Sequence, residues 1–350
     1  MSSNQIEIEE FVDQFERFPG TRYMGSKNKI IFDLWHYLQE IQFDSFLDVF
    51  AGSNVVSYFM KTKGKKVITN DFMAISYFTS KAIIENNSTK ITQEDLMFLL
   101  ENPSSENFIS KTYKDLYFTD EENQFLDQVR ANIELLDNEN KKALSISALT
   151  RACMKKRPRG IFTFIGHRYD DGRKDIRKSL KDHFIDNIED FNNAVFDNET
   201  NCEANNELSQ QLEKTADLVY LDPPYYSPKS DNDYVRRYHF VEGLAKQWDG
   251  LEIQEHTITK KFKSYKSPFS KRDTAFEAFH SLIEKHRNSV IAISYSSNSI
   301  PTKEELTDIL REYKDNVVVH EIDHTYSFGN QKHKTGNKSN RVKEYLFIGQ

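Results

Sequence analysis

Cysteine is nearly absent: Cys153 and Cys202 are the two in 350 residues. Two thiols cannot build a metal framework and need not pair, which fits a reducing, intracellular setting. His320, His324 and His333 lack partner cysteines and a helical spacing, so no metal site is expected. Long apolar runs are missing too, and none approaches the length of a membrane span. The stretch from Met1 to Glu10 is acidic and has no apolar signal core. A cytoplasmic protein is the expectation. There is no internal repeat, no coiled coil and no long low-complexity tract. Positive charge is short overall, with a formal net of −7. A polyanionic partner such as nucleic acid must therefore be met by a local patch.

What is present is the alternation of an α/β protein, in a chain long enough for one large domain and a smaller one. Short β-branched or aromatic runs bounded by Gly, Asn, Asp or Pro predict strands over Ser45–Phe50, Lys66–Asn70, Asp217–Leu221, Ser289–Ser294, Val317–Ile322 and Lys343–Ile348. Between them, Ile30, Ile31, Leu34 and Leu38 share a helical face. So do Val55, Val56, Phe59 and Met60, and later Phe276, Phe279 and Ile283. This order implies a doubly wound, mostly parallel, Rossmann-like sheet. The alternation breaks from about Asn86 to Thr215. Helical pieces (Phe125, Val129, Ile133 and Leu136 on one face), a basic segment and a polar run from Asp197 to Asn206 follow one another there. The expected organisation is an N-terminal extension over 1–20, a core domain from 21–85 and 216–350, and an inserted, mainly helical subdomain over 86–215.

The strongest chemical signal is Asp222-Pro223-Pro224-Tyr225, directly after the apolar run that ends at Leu221. A carboxylate at a strand end is placed at a pocket mouth. Two prolines remove two backbone donors and stiffen the turn. The tyrosine adds a flat face. Acceptors beside an aromatic plane suit an exocyclic amino group on a stacked base. Earlier, Leu47-Asp48-Val49-Phe50 ends the first strand and Ala51-Gly52-Ser53-Asn54 leads into a helix, a cradle for a polar ligand. Gly52 stands alone there, so the loop is not the GxGxxG fingerprint. Asp71 ends the second strand about 20 positions later, placed to accept from ribose hydroxyls. A single small-residue turn without a P-loop lysine favours an adenosyl group over a triphosphate. Upstream, Gly25 and Ser26 in Arg22-Tyr23-Met24-Gly25-Ser26-Lys27 open a helix, and Lys27 is able to answer a carboxylate.

In this order, Arg22 to Lys27, Asp48 to Ser53, Asn70-Asp71 and Asp222 to Tyr225 resemble the Dam-like (D12, α-class) DNA adenine N6-methyltransferases, many of which serve restriction–modification systems. The resemblance runs from about Arg22 to the C-terminus. It implies a methyltransferase sheet, S-adenosylmethionine as methyl donor and double-stranded DNA as substrate. It implies Tyr23, Lys27, Asp48, Phe50, Gly52, Ser53, Asp71 and Asp222 around the cofactor, and Asp222, Pro223, Pro224 and Tyr225 around a flipped adenine. Asp at 222 leans toward adenine, since amino-cytosine enzymes more often carry Ser there. N4-cytosine, RNA and a non-catalytic DNA-binding relative are the alternatives. The family often has a second glycine where Asn54 stands, and Asn tolerates the left-handed backbone better than most residues. Ile291 to Asn298 resembles a pocket edge of the family. Tyr326-Ser327-Phe328-Gly329 resembles the loop that packs on the flipped base. A monomer and a separately acting cognate restriction endonuclease are the partners' side of the same resemblance.

The basic patch that the net charge requires lies between Arg151 and Leu180. Ten basic side chains stand against three acidic ones there. Arg151, Lys155, Lys156, Arg157, Arg159, Arg168 and Arg173 are the expected DNA contacts, interleaved with Phe162, Phe164 and Tyr169. Asp171-Gly172 is a tight-turn signal, so Ile161–Tyr169 reads as one arm of a hairpin suited to a major groove. Arg236 and Arg237 follow the Asp222 turn. They are expected on phosphates, as are Lys260, Lys261, Lys263, Lys266, Lys332, Lys334, Lys338 and Arg341.

Overall fold

The computed structural model describes residues 14–166, 174–226, 233–325 and 341–350. Contacts divide the chain into two compact units. One comprises Met24–Phe72, Thr200–Asp233 and Lys266–Gln350, and is built on the sheet. The other comprises Met1–Tyr23, Met73–Glu199 and Tyr234–Tyr265, and is helical. The helical unit thus takes in Tyr234–Tyr265, which sequence reading gave to the core domain.

Seven strands form the sheet: β1 (Ser45–Asp48), β2 (Lys66–Asn70), β3 (Glu203–Asn205), β4 (Leu218–Leu221), β5 (Val290–Ser296), β6 (Val317–Thr325) and β7 (Arg341–Gly349). Their order is β3-β2-β1-β4-β5-β7-β6. β7 runs antiparallel to both its neighbours, and the other pairings are parallel. The chain moves outward from β1 to β3, then returns to place β4 on the other side of β1. That reversal opens a crevice at the carboxyl ends of β1 and β4, where ligands of doubly wound sheets bind.

Alternation of side chains fixes the two faces. Leu47, Val219, Leu221, Ile291 and Ile293 point to one face. They pack under Phe279, Leu282 and Ile283, and under Leu306, Ile309 and Leu310. These come from two helices, Arg272–Lys285 and Lys303–Arg311. The second starts on a Thr302–Glu305 capping box, which satisfies its first backbone donors. On the opposite face Phe46 stacks on Tyr220. The Ile31–Leu38 helix buries Ile31, Leu34 and Leu38, and the Val55–Thr62 helix buries Phe59 against Trp35. These are two of the three helical faces expected from sequence, and Phe276, Phe279 and Ile283 on the Arg272–Lys285 helix are the third.

β3 escaped sequence reading. It is three residues of an edge strand, Glu203-Ala204-Asn205, with no apolar alternation to announce it. The helical unit holds Gln93–Glu101, Asp120–Glu134, Glu139–Lys156, Leu180–Ala194 and Tyr234–Ala245 among its helices. Its core is aromatic, with Tyr113, Tyr117, Phe118, Phe162 and Phe240 buried together. The expected hairpin arm does not form over its described part, Ile161–Gly166, where no strand is present. The Arg157 guanidinium donates to the carbonyls of Phe164 and Gly166 at 2.7 and 2.8 Å, and so takes acceptors that a strand ladder would use. Residues 167–173, with the Asp171-Gly172 turn, lie outside the described residues.

Candidate active site

β4 carries Asp222 to the crevice beside β1. Its side chain keeps 18% exposure, at the rim of an otherwise buried polar cluster. Lys27 stands 4% exposed in that cluster, placed by a short turn over Lys27–Lys29. Its ammonium donates to Asp222 Oδ1 and Oδ2 at 2.7 and 2.6 Å and to the Tyr225 hydroxyl at 2.7 Å. The Tyr225 hydroxyl lies 2.8 Å from Asp222 Oδ1 and 2.6 Å from Glu344 Oε1. The ring of Tyr225 meets Tyr295 edge-on, with centroids 5.0 Å apart. Burial pushes the Asp222 carboxyl up to about 6, against the pull of Lys27 and with the push of Glu344. Burial alone would lower the Lys27 ammonium, but Asp222 and Glu344 outweigh it and hold the pKa above the ordinary lysine value.

The β1 loop is built from its own polar contacts. Asp48 is 1% exposed and accepts from Ser57 Oγ at 2.6 Å and from the Phe50 N–H at 3.3 Å. Burial drives its carboxyl up to about 7, partly countered by Ser57. Asn54 takes φ 64, the left-handed conformation that a glycine adopts at no cost. Asp71 accepts the Gly52 N–H at 2.8 Å, which ties the end of β2 to the loop. The Asn70 amide donates to the carbonyls of Val49 and Glu207 and accepts the Glu207 N–H, stitching residues after β3 to the same place. Ser53 donates to Ser26 at 3.0 Å. Beside this loop is a pocket lined by Val49, Phe50, Asn70, Phe72, Glu207, Leu208, Ser209, Ser267 and Pro268. Apolar and aromatic walls with a few polar groups are what a planar heterocycle needs.

Lys27, Asp48, Phe50, Gly52, Ser53, Asp71 and Asp222 to Tyr225 thus all belong to the sheet unit. Tyr23 belongs to the helical unit, where its ring stacks on Tyr238 at 5.2 Å and on Tyr234 at 5.7 Å. Tyr226 pairs through its backbone with Ile300. Glu344 was not singled out from sequence. The signal was a single acid beside the apolar run Tyr345-Leu346-Phe347-Ile348. Asn70 belongs to the motif that carries the resemblance but was given no role of its own, and Ser57 was missed, because nothing in composition separates a loop-pinning amide or hydroxyl from any other.

The basic segment divides. Arg157 is fully buried, bonded to carbonyls and lying over the rings of Tyr117 and Phe164. Arg151 is 8% exposed and donates to Gly20, Asn187 and Asp190. These two expected DNA contacts are corrected to internal braces. Lys156 reaches Glu122 at 2.9 Å and Lys155 stands 3.9 Å from Asp190. Arg159 sits in a turn at φ 61 and is partly exposed. Arg236 is exposed and Arg237 partly so, both in the first turn of the Tyr234–Ala245 helix. Arg168, Arg173, Lys332, Lys334, Lys338 and the Tyr326–Gly329 loop lie outside the described residues. Among those described, no group of three or more His, Cys, Asp or Glu is placed to hold a metal ion. No described helix is long and apolar enough to cross a membrane.

A family model, D12 class N6 adenine-specific DNA methyltransferase, matches residues 23–309. The chain is 32% identical to Type II methyltransferase M2.HphI of Haemophilus parahaemolyticus over 350 residues, covering 95% of this chain and 98% of that one. It is 28% identical to Type II methyltransferase M.FokI of Planomicrobium okeanokoites, covering 93% of this chain and 52% of the relative. It is 30% identical to modification methylase StsI of Streptococcus sanguinis, covering 83% and 46%. The chain spans about half the length of the last two.

Proposed function

The chain belongs to the D12 class of N6 adenine-specific DNA methyltransferases, and from that premise we propose that it methylates adenine N6 within a specific double-stranded DNA sequence, with S-adenosylmethionine as donor. The observation that carries the reading is Asp222 at the rim of the crevice, backed by Lys27 and Tyr225.

The residues fit an adenosyl group. Phe50, Phe72, Leu208 and Pro268 offer apolar walls for a purine. Asp71 stands at the loop for a ribose, and Lys27, Gly52 and Ser53 complete the cradle. The part of Tyr23 rests on the family resemblance. When bound, the cofactor supplies an electrophilic methyl group on a sulfonium. The chain's task is then to make an amino group nucleophilic. An adenine amine holds its lone pair in the ring, so acceptors on both N–H bonds favour a tetrahedral nitrogen. Asp222 would take one N–H and the Pro223 carbonyl the other. Tyr225, its phenol anchored, would present its ring to the base. Catalysis would be positioning and electrostatics without a covalent enzyme intermediate. A base in a duplex cannot reach such a pocket, so the nucleotide must flip out.

Lys155, Lys156, Arg159, Arg168, Arg173, Arg236 and Arg237 are proposed to hold phosphates, with the part of the 86–215 region that precedes residue 200 as the recognition part. By the family resemblance alone, the protein would act in the cytoplasm as a monomer, beside a separate restriction endonuclease. The test is to incubate it with tritiated S-adenosylmethionine and unmethylated bacterial DNA and to identify the labelled nucleoside. N6-methyladenine is expected. Label in N4-methylcytosine, or none in DNA with cofactor binding intact, contradicts the reading.

A further inference from the structure

We propose that Glu344 is a positioning residue for methyl transfer, drawing protons of Lys27 and Tyr225 away from Asp222 so that Asp222 can accept from the target amino group. The proposal rests on the reading of Asp222 given above.

Glu344 lies on β7 opposite Ser296 of β5 and is 1% exposed. Its Oε1 accepts from Ser294 Oγ at 3.0 Å, lies 2.6 Å from the Tyr225 hydroxyl and 3.3 Å from the Lys27 ammonium. A carboxylate this deep is costly to keep in a strand unless charge and hydrogen bonds answer it. Here the answering cation is one that Asp222 also uses.

Proton counting shows the consequence. Tyr225 has one hydroxyl proton and two carboxylates in reach, Asp222 at 2.8 Å and Glu344 at 2.6 Å. It can donate to one at a time. Lys27 touches both Asp222 oxygens. With Asp222 as the sole acid, the ammonium and the phenol would both turn on it and fill its lone pairs. A carboxylate so saturated is a weak acceptor for a further N–H. Glu344 gives the phenol proton and part of the ammonium another destination. Its negative charge also makes Asp222 more basic, the same push that helps raise the Asp222 carboxyl. The other titratable groups around Asp222 are Lys27, Tyr225, Tyr220 and Asp48.

Glu344→Gln keeps the shape and removes the charge. In steady-state kinetics on unmethylated genomic DNA, kcat should fall by about tenfold or more while KM for DNA and cofactor moves by less than about threefold. Calorimetric affinity for S-adenosylmethionine should not change. The acid limb of kcat/KM should move to lower pH, because Asp222 loses a neighbouring negative charge. Glu344→Asp should recover part of the rate. Ser294→Ala, which removes one donor to Glu344 and no charge, should lower kcat less, with the same unchanged KM. A folded Glu344→Gln with wild-type kcat and acid limb overturns the proposal. So does a loss that follows lowered melting temperature with the acid limb in place. If Glu344→Gln does not fold, Ser294→Ala decides: wild-type kcat overturns the proposal and a lowered kcat at constant KM supports it. If the wild-type protein puts no label in adenine, the reading of Asp222 fails first and takes the proposal with it.

Discussion

Lys27 is the residue on which the site balances. It is 4% exposed and faces two carboxylates, Asp222 and Glu344. Lys27→Met leaves those acids without their shared cation, a loss on the order of 3–5 kcal/mol for a broken buried pair. The cost should be larger at pH 8 than at pH 5, because the stranded carboxylates take up protons at the lower pH. Thermal unfolding of variant and wild type at both values checks this. Asp48 gives a second pH effect. Its carboxyl is raised from the ordinary 3.8 to about 7. The folded state therefore binds this proton more tightly than the unfolded one. Stability from that proton is complete below the ordinary carboxylate value and is lost as pH rises toward 7, by a few kcal/mol at most (about 1.4 kcal/mol per pKa unit). Asp48→Asn should lack that decline, so denaturant midpoints of variant and wild type should converge at low pH and diverge in the variant's favour near neutrality.

At the scale of elements, the turn between β1 and the Val55–Thr62 helix depends on a left-handed residue, Asn54 at φ 64. Asn54→Gly should stay within about 0.5 kcal/mol of wild type and Asn54→Ala should lose about 1 kcal/mol or more, measured by urea unfolding. Six of the seven strands were legible because each is an apolar run between turn residues. β3 was not, since its order comes from pairing with β2 rather than from its own side chains. The Asp222 turn and the Gly52 loop were legible because their chemistry is local. The Glu344 contact was not: it joins positions 119 residues apart in the chain to Tyr225, and only the antiparallel return of β7 brings them together. In sequence the basic segment between Arg151 and Leu180 reads as one patch. Burial separates Arg151 and Arg157 from it, and a run of charges in sequence does not say which of them the core will use as hydrogen-bond donors.

At the scale of the molecule, a chain of net charge −7 must bind a polyanion through a few chosen cations. Arg159→Ala should weaken DNA binding across sequences and reduce the slope of log affinity against log salt by about 1, as expected for one lost phosphate contact. Arg157→Ala should instead lower the melting temperature, because it strands carbonyls inside the helical unit. Fluorescence titration over a salt series, with melting curves alongside, separates the two. The proposed role of Asp222 is to accept from the target adenine's amino group in one sequence context. The most direct measurement is to express the chain in cells free of adenine methylation and map modified bases across their DNA. N6-methyladenine is expected at nearly every copy of one short sequence, and none with Asp222→Ala. Unmodified adenine throughout, or modification that persists in Asp222→Ala, would contradict it.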